Sequence, residues 1–176
     1  MAGLGQPAHY RGDFMKDRHT IIIAELKKNL DDTIGFFKGL SPDELSIQVY
    51  QDGAQWTAQQ VLAHFITIEH SMQWLFKDIL AGGPGSPEGF DVERFNRTQP
   101  KKWDGKTIDE LIAQFNSVRS DTISIVRSMS DPDFDREGRH AFHGHGKLER
   151  FITWAYEHVG LHLEDLRKRL QKNKPM

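Results

Sequence analysis

Cysteine is missing from the sequence. Its absence excludes disulfide bonds, thiolate metal ligands and a cysteine nucleophile, and it is compatible with a reducing compartment. Long hydrophobic runs are missing too, since no stretch approaches the roughly 18 apolar residues of a membrane span. The first residues, MAGLGQPAHYRGDF, lack the basic start and apolar run of a secretion signal. We therefore expect a cytoplasmic protein without a membrane segment.

An excess of charge of one sign is also lacking. The formal net charge is -2 at pH 7, so nothing suggests nucleic acid or an anionic membrane as a partner. Hydrophobic residues make up 38% of the chain and charged residues 27%, as in an ordinary soluble globular protein. The 176 residues suit one domain with a real core. We expect that domain to span residues 17–172, behind a loose tail formed by residues 1–16.

Strand-like alternation is absent, whereas helical periodicity is strong. Apolar residues recur at three- and four-residue steps in four long segments, which predicts four amphipathic helices. The first runs from about residue 17 to 38, the second follows Trp56, the third runs from near Thr107 to Ser130, and the fourth covers about 148–172. Shorter helices are predicted after Ser41 and at 91–98. The predicted fold is an all-α four-helix bundle with short extra helices in the linkers.

Histidine is the unusually frequent residue, with nine copies. His158 and His162 lie one turn apart on the inner stripe of the fourth helix, and His64 lies on the inner stripe of the second. Three imidazoles facing one interior suit a divalent metal with open positions, with zinc as one candidate and nickel, copper and iron as others. The alternative is a set of buried histidines that bond to the backbone or to each other.

Two other metal motifs are missing. The sequence reads HVGLH where a zincin would have HExxH. Di-iron bundles use Glu-x-x-His on two helices, but here that spacing occurs only from Glu137 to His140, in a segment (135–147) predicted to be a polar loop. Both classes are therefore rejected. We expect His140, His143 and His145 to be solvated, in a loop that borders the mouth of the pocket.

For other residues near the predicted site, the sequence gives weaker indications of a functional role. Asn96 and Arg97 lie in the linker that returns across the end of the bundle. Asn96 is a candidate catalytic residue that would bond a metal-bound water, and Arg97 is a candidate to bind a substrate carboxylate. Both are equally compatible with a solvated surface helix. Trp154 lies one turn before His158 and is expected to wall the site, while His70 and Glu157 are expected at the surface.

Two motifs resemble those of a known family. WTAQQVLAHFITIEHSMQWL, with His64, and EHVGLHLEDL, with His158 and His162, resemble the second- and fourth-helix motifs of the DinB/YfiT-like superfamily. The order and spacing agree from about residue 17 to 170. The resemblance implies a bundle with a divalent metal, often nickel or zinc, held near one end by His64, His158 and His162. It also implies a possible homodimer.

The resemblance further suggests an activity. Characterised members of the family include mycothiol-dependent maleylpyruvate isomerases and bacillithiol transferases. By this resemblance the protein is expected to be a metal-dependent S-transferase that joins a low-molecular-weight thiol to an electrophile. Because the chain has no cysteine, the thiol must come from outside. A metal-dependent hydrolase on the same site and a non-catalytic, stress-related metal-binding protein are the alternatives.

Overall fold

A computed structural model describes residues 17–173, so the predicted tail at 1–16 lies outside the described residues. The predicted all-α class is confirmed. Four long helices are joined by linkers that contain two short ones, and 3-10 turns occupy Pro100–Trp103 and Asp131–Asp135. The helices are α1 (Arg18–Lys38), α2 (Pro42–Leu45), α3 (Ala58–Leu80), α4 (Val92–Thr98), α5 (Ile108–Ser128) and α6 (Leu148–Lys172).

Capping boxes set the starts of two long helices. The Thr57 hydroxyl accepts the backbone N–H of Gln60, whose side chain in turn accepts the N–H of Thr57. Thr107 and Glu110 exchange the same two bonds at the start of α5. These bonds pair donors that the first helical turn leaves free, which is why the sequence pattern located both starts correctly.

Two apolar clusters show how the helices run. One cluster joins the beginnings of α1 and α6 to the ends of α3 and α5, and the other joins the opposite ends of the same helices. Therefore α1 and α6 run in one direction, and α3 and α5 run in the other. The connection from α3 to α5 must return along the bundle, and it carries α4 on the way.

A buried polar layer separates the two clusters. Arg119 of α5 and Glu69 of α3 form an ion pair with a nitrogen–oxygen distance of 3.1 Å, although the angle is not that of a hydrogen bond. Arg119 Nη2 also donates to the backbone oxygen of Ala155, on α6, at 3.1 Å. Burial raises the pKa of Glu69 and lowers the pKa of Arg119, and in each case the charge of the partner opposes the shift. The pair thus joins α3 and α5 near their midpoints and links both to the first half of α6.

The expected polar loop at 135–147 is a β-hairpin, so that prediction was wrong. Strand β1 (Glu137–His140) pairs antiparallel with β2 (Gly144–Lys147). The segments EGRH and GHGK contain no β-branched or aromatic residue, so composition gave no strand signal. Tertiary contacts support the hairpin instead, because β1 also bonds to the start of the linker: Arg139 N donates to Pro84 O at 2.8 Å, and Ser86 N donates to Arg139 O at 2.7 Å.

Gly85 makes this contact possible, and its substitution provides a test. Gly85 has φ +84°, and a Cβ there would lie 2.4 Å from the backbone oxygen of Arg139. Gly89 is a matched control, because its φ is +73° but nothing lies within 4 Å of its Cβ position. We expect Gly89→Ala to lower the free energy of unfolding by about 1 kcal/mol through backbone strain alone. Gly85→Ala should lower it by about 1 to 3 kcal/mol more, because the linker must move away from β1.

Urea unfolding of both variants measures this difference. If the two substitutions lowered the free energy of unfolding equally, the contact between linker and hairpin would contribute nothing to stability.

Candidate metal centre

The three predicted histidines meet in the structure. His64 comes from the first half of α3, and His158 and His162 come from the middle of α6. The Nε2 atom of His158 lies 3.4 Å from Nε2 of His64 and 3.0 Å from Nε2 of His162. One ring nitrogen of each histidine lies within 4.8 Å of the other two. The predicted constellation exists, and its assignment as a set of metal ligands remains a prediction.

The outer nitrogen of His162 has a partner that the sequence did not reveal. Its Nδ1 is hydrogen-bonded to the hydroxyl of Tyr50, which donates to Asp165 Oδ2 at 3.2 Å. Since a hydroxyl has a single proton, Tyr50 accepts the Nδ1–H of His162, which leaves a lone pair on Nε2. Burial, followed by the charge of Asp165, raises the pKa of Tyr50, so the phenol stays protonated.

Of these two partners, only Asp165 could have been linked to His162 from the sequence, because it lies three residues later on the same helix and so on the same face. Tyr50 lies in the connection between α2 and α3, where no periodicity shows which side chains point inward.

Aromatic rings hold the other two imidazoles. Trp56 stacks on His64, with ring centroids 4.2 Å apart and an interplanar angle of 29°. Trp154 lies 5.4 Å from the ring of His158, in agreement with its predicted place in the wall of the site. The Nδ1 atoms of His64 and His158 are buried and have no hydrogen-bond partner among the described residues. Packing therefore holds the Nδ1 sides of these two rings, while their Nε2 atoms lie within hydrogen-bonding distance of a neighbouring histidine.

Burial keeps all three imidazoles neutral. Loss of solvation lowers the pKa of His64 well below 6.5, with the neighbouring histidines as further causes. It lowers the pKa of His158 to about 3 and that of His162 to about 4, where the charge of Asp165 partly opposes the shift. At neutral pH each ring thus has one lone pair available, as a metal ligand requires.

The donor set fits a divalent transition-metal ion. If each ring carries its proton on Nδ1, as His162 does, three Nε2 lone pairs point at one another at short range. A bound cation would remove that repulsion, and His64, His158 and His162 are the residues that would hold it. Imidazole nitrogen suits zinc, nickel, copper and iron, whereas calcium and magnesium prefer oxygen ligands.

A large cavity lies beside the centre. Its volume is about 1090 Å³, and His64 and His158 form part of its wall. The cavity is lined by the outer face of α3, the first half of α6, the tip of the hairpin and the returning linker. Most of the lining is apolar, as at Ile68, Leu75 and Phe95. Among the described residues, no aspartate, glutamate or arginine lines the cavity, and Lys102 is its one lysine.

Of the two linker candidates, only one faces this cavity. Asn96 belongs to the wall, and its Oδ1 is buried without a hydrogen-bond partner in the described part of the chain. Arg97 is exposed and lies outside the wall. The side chain of Asn96 can therefore accept a hydrogen bond from a ligand, whereas the placement of Arg97 agrees with the solvated alternative.

The hairpin histidines separate into different environments. His145 is exposed as expected, but His140 is only 8% exposed and lines the cavity, so its prediction as a solvated residue was wrong. Its Nδ1 accepts the backbone N–H groups of Phe142 at 3.0 Å and His143 at 3.2 Å, and burial lowers its pKa to about 4. His143 is partly buried and packs edge-on against Trp154, with ring centroids 4.5 Å apart.

The two residues expected at the surface are indeed exposed. Glu157 forms an ion pair with Arg150 at 2.7 Å. His70 lies at the rim of the cavity without joining the histidine cluster. Within residues 17–173, no helix combines the length and the apolar character that crossing a membrane requires.

Comparison with known proteins agrees with the fold. The family model described as the DinB superfamily matches residues 25–166, a range that includes all three histidines. The crystal structure of an uncharacterised protein from Escherichia coli UTI89 has a similar fold, with a TM-score of 0.67 and 14% identity over 88% of this chain and 94% of that one. No curated protein sequence matches the chain. The chain therefore belongs to the DinB superfamily.

Proposed function

We propose that this protein is a metal-dependent S-transferase that joins an external low-molecular-weight thiol to an organic electrophile. Nickel or zinc, held by His64, His158 and His162, is the proposed cofactor. One observation carries the proposal: three neutral imidazoles converge beside a large, mostly apolar cavity, and His64 and His158 form part of its wall. Family membership and this three-histidine group fit a metal-binding protein, and the cavity provides room for an organic substrate.

The proposed chemistry needs a thiolate that the chain cannot supply, because it contains no cysteine. When bound, a divalent metal would lower the pKa of a coordinated thiol and so provide a thiolate at neutral pH. With an epoxide as the electrophile, each bond formed is matched by a bond broken. The S–H proton goes to solvent and an S–C bond forms, while an epoxide C–O bond breaks and its oxygen takes up a proton.

The chain's own residues prepare the ligands for this task. Tyr50 and Asp165 hold His162 with its proton on Nδ1, and Trp56 fixes the plane of His64. The lowered pKa values of His158 and His162 mean that protons do not compete for these rings at neutral pH. The mostly apolar cavity wall keeps bulk water away from an electrophile that water would hydrolyse.

The metal site can be tested by elemental analysis. We expect about one equivalent of nickel or zinc per chain in protein loaded and then desalted. His64→Ala should lose that metal and the rise in melting temperature that the metal produces, because a ligand is gone. His145→Ala is the matched control, since His145 is exposed and lies outside the cluster. If wild-type protein retains no metal, or if His64→Ala retains as much as wild type, the site does not exist.

A second prediction concerns the support of His162. Tyr50→Phe removes the hydroxyl that accepts from Nδ1, so we expect the metal dissociation constant to rise by about 10- to 100-fold. Tyr156→Phe is the control, because that ring is also partly buried on the bundle and lies outside the group of three histidines. Competition with a chelating dye measures the affinity, and metal-free melting curves show whether Tyr50→Phe is folded. An unchanged affinity in folded Tyr50→Phe would exclude this role.

The activity is tested with metal-loaded protein, a panel of low-molecular-weight thiols and a generic electrophile. We expect conjugation with at least one thiol, and its loss in His158→Ala. Hydrolysis of a test ester without any thiol conjugation would favour the hydrolase. Bound metal with neither reaction would favour a non-catalytic metal-binding protein.

A further inference from the structure

Exposed aromatic residues gather at the mouth of the cavity. In the described part of the chain, five large hydrophobic residues are exposed, and three of them line this cavity: Trp74 (54% exposed), Phe90 (39%) and Phe142 (68%). Phe142 also stacks almost parallel on Trp154, with an interplanar angle of 8° and centroids 5.7 Å apart. Water-exposed rings are unfavourable unless something covers them. The mouth of the cavity thus offers flat apolar surfaces to a ligand.

The interior continues this apolar surface down to the histidines. Ile68, Met72 and Leu75 of α3 line one side, and Phe95 and Trp103 come from the linker. The volume of about 1090 Å³ exceeds the space that a small polar thiol fills. Cavities of roughly 300 to 1000 Å³ with mostly apolar walls hold organic molecules of drug-like size. The body of the ligand should therefore be large and apolar.

Among the described residues that line the cavity, Lys102 is the one residue from the set Asp, Glu, Lys and Arg. Lys102 follows α4 in the linker, is exposed, and forms no ion pair with any described residue. The buried and unpartnered Oδ1 of Asn96 and the side chain of Gln99 lie on the same linker. With a lysine in the wall and no carboxylate there among the described residues, a ligand with a single anionic group is favoured over a cationic one.

We infer that the cavity binds an aromatic or polycyclic compound that carries one anionic group. The apolar body lies between α3 and the exposed rings, the anionic group faces Lys102, and the opposite end approaches His64 and His158. This inference rests on the proposed function, since it names the class of electrophile that the transferase would accept. The polar thiol matches these walls poorly, so the cavity is assigned to the electrophile.

Two fluorescent probes with the same ring system test the cavity in metal-free, full-length protein. The probe 8-anilino-1-naphthalenesulfonate is anionic, and N-phenyl-1-naphthylamine is its neutral analogue. We expect both to bind saturably at about one molecule per chain, as a single enclosed site requires. Ser71→Trp should weaken both probes at least about tenfold, because an indole at this half-buried wall position fills the cavity. Ser117→Trp, on the exposed face of α5, should leave both probes unchanged.

The charge assignment has its own pair of variants. Lys102→Gln should weaken the sulfonate probe by about two- to fivefold, the range for one solvent-exposed charge, and leave the neutral probe unchanged. Lys101→Gln is the matched control, because Lys101 is exposed but does not line the cavity. An equal effect of the two lysine variants, or of Lys102→Gln on both probes, overturns the assignment of the anionic group.

A failed cavity and a failed metal site give different results. His162→Ala, which should also abolish metal binding, should leave the neutral probe within about twofold of wild type, since His162 does not line the cavity. Probe binding by wild-type protein that cannot be loaded with metal contradicts the proposed function alone. Metal binding without saturable probe binding overturns the cavity inference alone.

Two further results complete the test. If circular dichroism shows that Ser71→Trp does not fold, Phe142→Ala replaces it, because this exposed ring can be removed without leaving a hole in the core. Phe142→Ala should weaken both probes, and an unchanged affinity counts against the inference. Sedimentation reports whether a second copy covers the mouth. A dimer that excludes both probes and dissociates in Phe142→Ala would make this surface a subunit interface and overturn the inference.

Discussion

The burial of polar side chains at the centre of the bundle constrains the rest of this structure. Burial lowers the pKa of all three clustered histidines, so they remain neutral. It also disfavours the charged forms of Glu69 and Arg119, because it raises the pKa of the first and lowers the pKa of the second. A lone buried charge is strongly destabilising, so the carboxylate of α3 and the guanidinium of α5 depend on each other. Arg119 also binds the backbone of α6 at Ala155, one turn before His158. The ion pair thus fixes the spacing of the helices that carry the imidazoles.

Helix α3 has functional contacts on two sides. Its inner side packs in both apolar clusters and presents Glu69, while its outer side lines the cavity. That outer surface is covered because α3 and α5 run in the same direction, so the linker between them must return along the bundle. The bridge between Gly85 and Arg139 fastens the start of this linker to the hairpin. The cavity is therefore a consequence of the helix order, and the histidines of α3 and α6 reach its wall from the core side.

Much of the fold could be predicted from the sequence because it depends on interactions between residues that are close in the chain. Apolar periodicity identified the four long helices, and capping boxes at Thr57 and Thr107 located the starts of two of them, because both signals lie within a few residues of chain. The inward direction of His64, His158 and His162 follows from the same periodicity. The hairpin was missed, since its strands have no intrinsic strand preference and are supported by the distant linker. His140 was misjudged for the same reason, because its burial depends on the tertiary position of that hairpin.

The sequence by itself determined the helices, the absence of any thiol, and the three imidazoles on inward faces, because composition and helical spacing are local properties. Only the tertiary structure decided how the imidazoles are held. Tyr50 and Asp165 are more than a hundred residues apart, yet the Tyr50 hydroxyl bonds both to Asp165 and to Nδ1 of His162. The cavity, its aromatic mouth and its single lysine likewise combine residues from α3, the linker, the hairpin and α6. Such contacts depend on how helices and linkers pack in space, and sequence periodicity carries no information about distances between separate elements.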